Sequence, residues 1–391
     1  MKKLKILLGS LLCVMMTISV SYNIEIWADT EKISQYTYGI GDDEATPQEV
    51  EEAYHANIDV KEYPYDIKEE KEFENTNSVV KVQVKAAAST IKIHYIKVGD
   101  AKSDNAALKR GDAILIECNG EFALIDAGPG DGLCNAYLEK IRKSRGGEDS
   151  KLNLKYVILT HHHFDHFGGL KQIIENKNIV VTKFYREKVH QHLAGTGKGC
   201  DAQSYKELMQ KINSTWTCDY VSNLNVDNKN ITNAVNASKT IKLSLGAATL
   251  YVYRPLSKSE DTNLGDGVYE NNRSIICRVE FGDKTYLFTG DVYSSIIKRI
   301  AELGEKCGNR YKQLDTNILK IQHHGTLAEF TATIKGQYKN AFSPQKCYIT
   351  NNILLKNMES AAKERNAYLT NTLGAALATN AEGTLVKAYS Y

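Results

Sequence analysis

The 391-residue chain has two tryptophans, five prolines and eight cysteines, and its charged side chains nearly cancel at a formal +2. The cysteines are scattered and never form a Cys-x-x-Cys pair, which argues against a cysteine-based zinc site and against a disulfide framework. Cys200 and Cys218 flank a polar loop, and the sequence leaves open whether they pair. Glycine (27) and proline (5) are too sparse for a collagen-like or linker-like chain, and a hydrophobic share of 42% excludes wholesale disorder. No Gly-x-Ser-x-Gly elbow and no repeat of fixed period occur. Beyond the first thirty residues no apolar run is long enough to cross a bilayer.

That first stretch reads differently. Lys2, Lys3 and Lys5 precede an apolar segment from Ile6 to Val20, the pattern of a secretory signal over residues 1–28 with cleavage after Ala28. The competing reading is an uncleaved membrane anchor, for which the segment is short. Cys13 follows Leu11-Leu12, a poor match to a lipidation site. The expectation is an exported protein without stable membrane insertion once the signal is removed.

The near-neutral total hides two unlike parts. Residues 29–88 hold 15 Asp and Glu against 6 Lys, a net of −9. Residues 89–391 hold 40 Lys and Arg against 31 Asp and Glu, a net of +9. The acidic part reads as a solvated extension, flexible or partly helical, with "KAAAST" at 85–90 as a linker. A docking or shielding role over the basic part is the alternative.

From residue 91 strand patterns dominate. "IKIHYIKV" alternates, and "AILIEC" and "FALIDAG" flank a turn at Gly120 as in a hairpin. A helix is expected over 132–145, a buried strand at "KYVILT", a helix from "GGLKQIIEN" and a strand at "IVVTKFY". Residues 190–240 read as an irregular insertion around a helix at 203–213. "TIKLSL", "ATLYVYRP", "SIICRVEF" and "KTYLFTGD" are further strands, then a helix near 294–305, "NILKIQHH", "CYIT", a helix near 357–366 and "GTLVKAY". Strands with intervening helices in two successive halves imply two sheets covered by helices.

Six of the ten histidines sit in two places, His161, His162, His163 and His166 in "LTHHHFDHFGG" and His323-His324 in "LKIQHHGT". Imidazole and carboxylate are the donors that suit Zn²⁺, Mn²⁺ or Fe²⁺. Alternate positions at a strand end point the same way, so His161 and His163 can share one ion. After the turn Asp165 and His166 can reach a second, and Gly168-Gly169 let the backbone pass close by. A chance polyhistidine patch on a loop is the bland alternative; the buried strand before the cluster and Gly-Gly after it weigh against that.

His-x-His-x-Asp-His after a strand resembles the metal signature of the metallo-β-lactamase superfamily. "LIDAG" with Asp126, "LFTGD" with Asp291 and "HHG" with His324 follow the superfamily's order across roughly residues 91–391. Within it, "IHYIKVG", "GDAILIE", "ENNRSIICRVEFGDKTYLFTGD", "ILKIQHHGT" and "EGTLVKAY" are most similar to the C-terminal domain of ComEC-type competence proteins, without their membrane channel. Secreted phosphorylcholine esterases share the fold, but their aromatic repeats have no counterpart here. The resemblance implies an α/β (α+β) class, a four-layer αββα sandwich over 89–391 behind the acidic extension, and two divalent ions, Zn or Mn. It implies His161 and His163 on one ion, Asp165, His166 and His324 on the other, and Asp291 bridging both. Asp126 would orient a ligand histidine, while His323 and Asn272 would contact substrate. The superfamily usually carries another ligand histidine where this chain reads Asn271-Asn272-Arg273-Ser274. His190 and His192 could replace it, although two surface histidines on a polar loop explain them as well.

Two cations close together acidify a shared water, so the expected activity is hydrolysis, with Asp165 handling the proton. The basic region favours an anionic phosphodiester, nucleic acid among the candidates. Hydrolysis of a carbon ester or amide, β-lactams included, is the alternative enzyme reading. An extracellular binding protein with a weakened site is the non-enzymatic one.

Overall fold

Strand β2 (Thr90–Tyr95) shows the rule that organises the molecule. Ile91, Ile93 and Tyr95 point to one side and are fully buried, while His94 points to the other and contacts Tyr137. The computed structural model describes residues 46–56, 58, 60, 62–63, 68–69, 89–100, 102–187, 203–222, 240–254, 271–293, 296, 316–325, 346–350, 367–369, 375–380 and 385–390. The expected helices near 294–305 and 357–366, His190, His192, Cys200 and the signal segment lie outside these, apart from Ile296. Among the described residues no helix is long and apolar enough to cross a membrane.

β2 pairs antiparallel with β3 (Ile114–Cys118), and β3 with β4 (Glu121–Ile125). The sheet continues in parallel through β5 (Leu152–Ile158), β6 (Ile179–Arg186) and β7 (Cys218–Tyr220). Its other side is closed by β15 (Ala375–Asn380), β16 (Leu385–Ser390) and the short β1 (Lys68–Glu69), nine strands in all. A second, seven-stranded sheet is antiparallel through β8 (Ile241–Leu245), β9 (Ala248–Tyr253), β10 (Ile276–Phe281) and β11 (Lys284–Phe288). It turns parallel for β12 (Ile318–Lys320), β13 (Lys346–Ile349) and β14 (Ala367–Leu369).

The inner faces of the two sheets share one core. Ile91, Ile93, Ile114, Ile116 and Ile125 from the first meet Leu250, Val252, Val279, Phe281 and Phe288 from the second. The outer face of the first sheet, with Leu115, Leu124, Leu154 and Phe184, is covered by helices. These are α2 (Leu133–Gly146), α4 (Leu170–Glu175) and α5 (Gln203–Thr215); the single-turn α3 (Phe164–Phe167) belongs to the histidine motif. The fold is therefore mixed α/β with two facing sheets, as the sequence leads one to expect, and the helix layer over the first sheet is in place.

Sequence patterning misses β7, β14 and β15. The segment "AALATN" has little intrinsic strand preference, and it is ordered by six paired positions along β2 on one side and β16 on the other. Cys218 opens β7 as a free thiol directed at the carbonyls of Ile212 and Trp216.

Within the acidic segment, α1 (Pro47–His55) starts from a capping box in which Thr46 and Glu49 exchange hydrogen bonds. Its Val50 and Ala53 are buried in the helix-side core, as is Tyr63. Glu49 also receives Ala106 N–H at 3.3 Å, and its carbonyl receives Asn105 Nδ2 at 2.9 Å. Glu51 accepts from Ser204 N at 2.9 Å, and Lys171 Nζ donates to the Tyr54 carbonyl. The helix thus braces the loop that leads into β3. Val50→Asp places an unpaired carboxylate in this apolar contact and should lower stability by roughly 2 to 4 kcal/mol. Chemical denaturation would show this, and an unchanged midpoint would mean that α1 is not docked in solution.

Candidate metal centre

All the residues of interest lie at one edge of the paired sheets. β4 ends at Ile125, and Asp126 follows. β5 ends at Ile158, just short of the segment that carries His161, His163, Asp165 and His166. β11 leads to Asp291 and β12 to His323 and His324. Because β3 runs antiparallel to β4, with Ile114 opposite Ile125, the residues just before β3 come to the same edge, and these include Asp112.

Close packing of backbone holds the loops there. A Cβ on Gly169 would stand 2.0 Å from the Ala127 carbonyl oxygen, and one on Gly111 would stand 2.4 Å from that of Asp165. Asp126, His323 and His324 take left-handed φ values of 57°, 47° and 52°. Such backbone is costly for residues with a Cβ and persists only where surrounding contacts fix it.

The side chains converge. His324 Nε2 lies 3.0 Å from Asp165 Oδ2 and 3.1 Å from Asp291 Oδ2. His166 Nε2 lies 3.1 Å from Asp291 Oδ2 and 3.8 Å from Asp165 Oδ2. A tetrahedral ion with bonds of about 2.0 Å has donor–donor edges of about 3.3 Å, which these four separations bracket; the donor atoms that all lie within 4.8 Å of one another are those of Asp112, His166, Asp291 and His324. His324 Nε2 is buried and meets hydrogen-bond geometry with none of its neighbours among the described residues. On the other side, His161 Nε2 and His163 Nδ1 stand 3.1 Å apart, and His161 Nε2 lies 3.9 Å from Asp291 Oδ2. The structure thus brings together all six residues that the resemblance gives as ligands.

Each inner histidine is oriented from behind. Asp126 Oδ2 lies 2.8 Å from His166 Nδ1 and also accepts Thr160 Oγ1, while its Oδ1 accepts Thr160 N–H at 2.7 Å. Asp112 repeats the arrangement on His324, its Oδ1 3.1 Å from Nδ1, which also faces the Thr350 carbonyl at 3.1 Å. A carboxylate or carbonyl on the far nitrogen fixes the ring and makes the near nitrogen a better donor. Asp112 stands close enough to the cluster to be a candidate ligand itself. Its Oδ2 is taken by Lys320, while Oδ1 lies 3.1 Å from His324 Nδ1 without meeting hydrogen-bond geometry among the described residues. Lys320 is fully buried and also reaches the Gly290 carbonyl at 3.1 Å and Asp291 Oδ1 at 3.4 Å.

Electrostatics follow the carboxylates. Burial disfavours charge on His166, yet Asp291, Asp165 and Asp126 outweigh it and hold its pKa well above the ordinary value. His324 is likewise carried against burial to about 10 by Asp291 and Asp112. Burial lowers His161 well below its ordinary value, with His166 and His163 adding to the effect. It takes His323 to about 3, so that ring is neutral. A cation binding among these groups would displace the protons of His166 and His324.

Of the remaining expected residues, Asp165 is partly exposed and His323 and Asn272 are buried. Asp165 keeps 18% of its side-chain surface exposed and has Arg110 Nε 3.9 Å away. His323 packs edge-on against Tyr293. Asn272 is buried, and its amide oxygen accepts Tyr293 N–H at 2.8 Å. Sequence reasoning assigned no role to Asp112, Lys320 or Glu187. Asp112 stands inside "GDAILIE" and Lys320 inside "ILKIQHHGT", but a charge at a strand boundary carries no distinctive spacing.

Residues 108–212 match the model of the metallo-beta-lactamase superfamily. The match spans Asp112, Asp126 and the whole His161–His166 motif. No curated protein matches the chain. Among solved structures, the metallo-beta-lactamase fold protein YhfI from Bacillus subtilis is similar at 12% identity over 72% of this chain and 95% of its own, with a TM-score of 0.41. A diphosphatase from the PhnP family is similar at 13% identity over 75% of this chain and 98% of its own, TM-score 0.42. CmlA, a diiron beta-hydroxylase from Streptomyces venezuelae, is similar at 12% identity over 73% of this chain and 53% of its own, TM-score 0.37.

Beneath the motif, Glu187 holds two guanidinium groups and an imidazole. Its Oε2 lies 2.7 Å from Arg273 Nε and 3.3 Å from Arg254 Nη2, and its Oε1 lies 2.7 Å from His162 Nδ1. Burial raises its pKa, but Arg273, Arg254 and His162 outweigh burial and bring it to about 2. A carboxyl depressed from 4.5 to about 2 contributes stability that is present above 4.5 and lost as pH falls toward 2. Glu187→Gln should destabilise the fold by roughly 3 to 5 kcal/mol at neutral pH by removing the carboxylate that faces two buried guanidinium groups. It should also flatten the acid loss of stability between pH 4.5 and 2. Urea midpoints across that range, with parallel profiles for both proteins, would refute the assignment.

Proposed function

We propose that this protein is an exported, divalent-metal-dependent hydrolase that attacks an anionic phosphodiester. The observation that carries the reading is the convergence of Asp165, His166, Asp291 and His324 at ion-binding spacing, beside the paired nitrogens of His161 and His163. His161 and His163 would hold one ion, Asp165, His166 and His324 a second, and Asp291 would lie between them. Bound there, divalent Zn or Mn would supply Lewis acidity and a water acidic enough to lose its proton near neutral pH.

The chain's own groups supply the rest. Asp165 is the cluster carboxylate reached from solvent, and it is placed to take the proton of an attacking water. His323 presents a neutral ring suited to donating a hydrogen bond to a substrate oxygen, and Asn272 would contact substrate from the other side of Tyr293, which both residues touch. Arg110 brings a positive charge beside Asp165, where a phosphate oxygen would enter. The +9 balance of residues 89–391 adds a long-range attraction for polyanions. The likeness of the motifs to the ComEC-type domain supports the same substrate class, and the N-terminal pattern supports export.

The test is hydrolysis of bis(p-nitrophenyl) phosphate, single-stranded DNA and RNA by metal-stripped protein with Mn²⁺ or Zn²⁺ restored. Turnover should depend on added metal, and His163→Ala and Asp165→Ala should each lower kcat by about 100-fold or more while the protein stays folded. Absence of metal-dependent turnover together with no bound metal by elemental analysis would end the enzyme reading. Retained activity in both variants would move the site elsewhere.

A further inference from the structure

Lys320 is the last residue of β12, and its whole side chain is buried at the centre. A buried ammonium is tolerated only where anions and hydrogen-bond acceptors surround it. Here they do. Nζ meets Asp112 Oδ2, the Gly290 carbonyl and Asp291 Oδ1. Its pKa is lowered by burial and raised more by Asp112 and Asp291. The consequence lies in which oxygens it takes.

Asp291 has its two carboxylate oxygens facing opposite ways. Oδ1 faces Lys320, while Oδ2 faces His166, His324 and His161 at 3.1, 3.1 and 3.9 Å. Asp112 is divided in the same manner, Oδ2 toward Lys320 and Oδ1 toward His324 Nδ1 at 3.1 Å. One ammonium therefore fixes the rotation of two carboxylates, one of them a candidate ligand and the other the group that orients one. We infer that Lys320 is the positioning residue of the metal centre: with Asp112 it reserves Asp291 Oδ1, so that Oδ2 alone is offered to ions, and it holds Asp112 Oδ2 so that Oδ1 faces His324. This rests on the two-ion reading above. It goes beyond that reading by giving an assigned task to two residues that touch no substrate.

A purely structural ion pair would affect stability alone; a positioning pair must alter how metal is held. The experiment compares wild type, Lys320→Met, Lys320→Arg and Asp112→Asn for Co²⁺ and Mn²⁺ affinity by calorimetry, and for the visible spectrum of the Co²⁺-loaded protein, with circular dichroism as the check on folding. Lys320→Met should bind metal about 10- to 100-fold more weakly at one site or more, with an altered Co²⁺ spectrum, as expected when an orienting partner is lost. Lys320→Arg, which keeps a charged donor, should recover part of the affinity. Wild-type affinity and spectrum in a folded Lys320→Met protein would overturn the inference. Should Lys320→Met not fold, Asp112→Asn decides, since it keeps the lysine and removes its anchor: weakened metal binding supports the inference, and unchanged binding overturns it. If wild type itself binds neither ion, the metal-centre reading fails first, and the pair is an internal salt bridge without that task.

Discussion

Four carboxylates gather at one edge of the paired sheets, and nearly everything else in the site is a response to them. Asp112, Asp126 and Asp291 are buried, and Asp165 is only partly open. Bringing so many anions out of water together is prohibitive unless positive charge accompanies them. Lys320 supplies one such charge, and in the absence of ions His166 and His324 supply two more by holding their protons. Arg110 Nε, 3.9 Å from Asp165, brings a further positive charge. A divalent cation bound among these groups would take over the role of the histidine protons.

The fold makes that concentration of charge affordable. Strand ends from both sheets reach the same edge, so six ligand candidates come from three separate loops, and none of those loops needs to be long. Backbone is packed tightly enough beneath them that Gly111 and Gly169 admit no Cβ, and three site residues are held at left-handed φ. Rigid placement of this sort limits the reorganisation needed when an ion binds or a reaction begins. Helix α1 extends the same logic outward: it fastens Asn105 and Ala106, a few residues before Arg110 and Asp112, to an anchor in the acidic segment.

Much of this was legible in the sequence because metal ligands announce themselves by type and spacing. His161, His163, Asp165 and His166 sit in one short motif, and Asp291 and His324 end apolar runs that read as strands. Their assembly needed no knowledge of distant packing beyond the order of the strands. Asp112, Lys320 and Glu187 were not legible for the opposite reason. Each acts through one or two partners far away in the chain, and an isolated Asp or Lys at a strand boundary is indistinguishable from a solvated one. The strand at 375–380 was missed on the same grounds, since pairing with β2 and β16 overrides the weak preference of an Ala-rich stretch. Helix α1 reads as polar because its composition is acidic, and only Val50 and Ala53 reveal a buried side.

The segment Asn271-Asn272-Arg273-Ser274 shows how the site manages without a histidine there. Ser274 Oγ accepts Asp291 N–H at 3.0 Å and lies 3.4 Å from His161 Nδ1, so it sets the position of two ligand candidates at once. Asn272 fixes the Tyr293 backbone just beyond Asp291, and Arg273 ties the segment to Glu187 and, through it, to His162 within the motif. The residues that stand in the histidine's place therefore act as scaffold. What they leave is two unequal donor sets, two imidazole nitrogens plus a share of Asp291 on one side, and two imidazoles with Asp165 and Asp291 on the other. On the two-ion reading proposed above, the His161–His163 side would offer an ion fewer protein donors than the side with Asp165, His166 and His324.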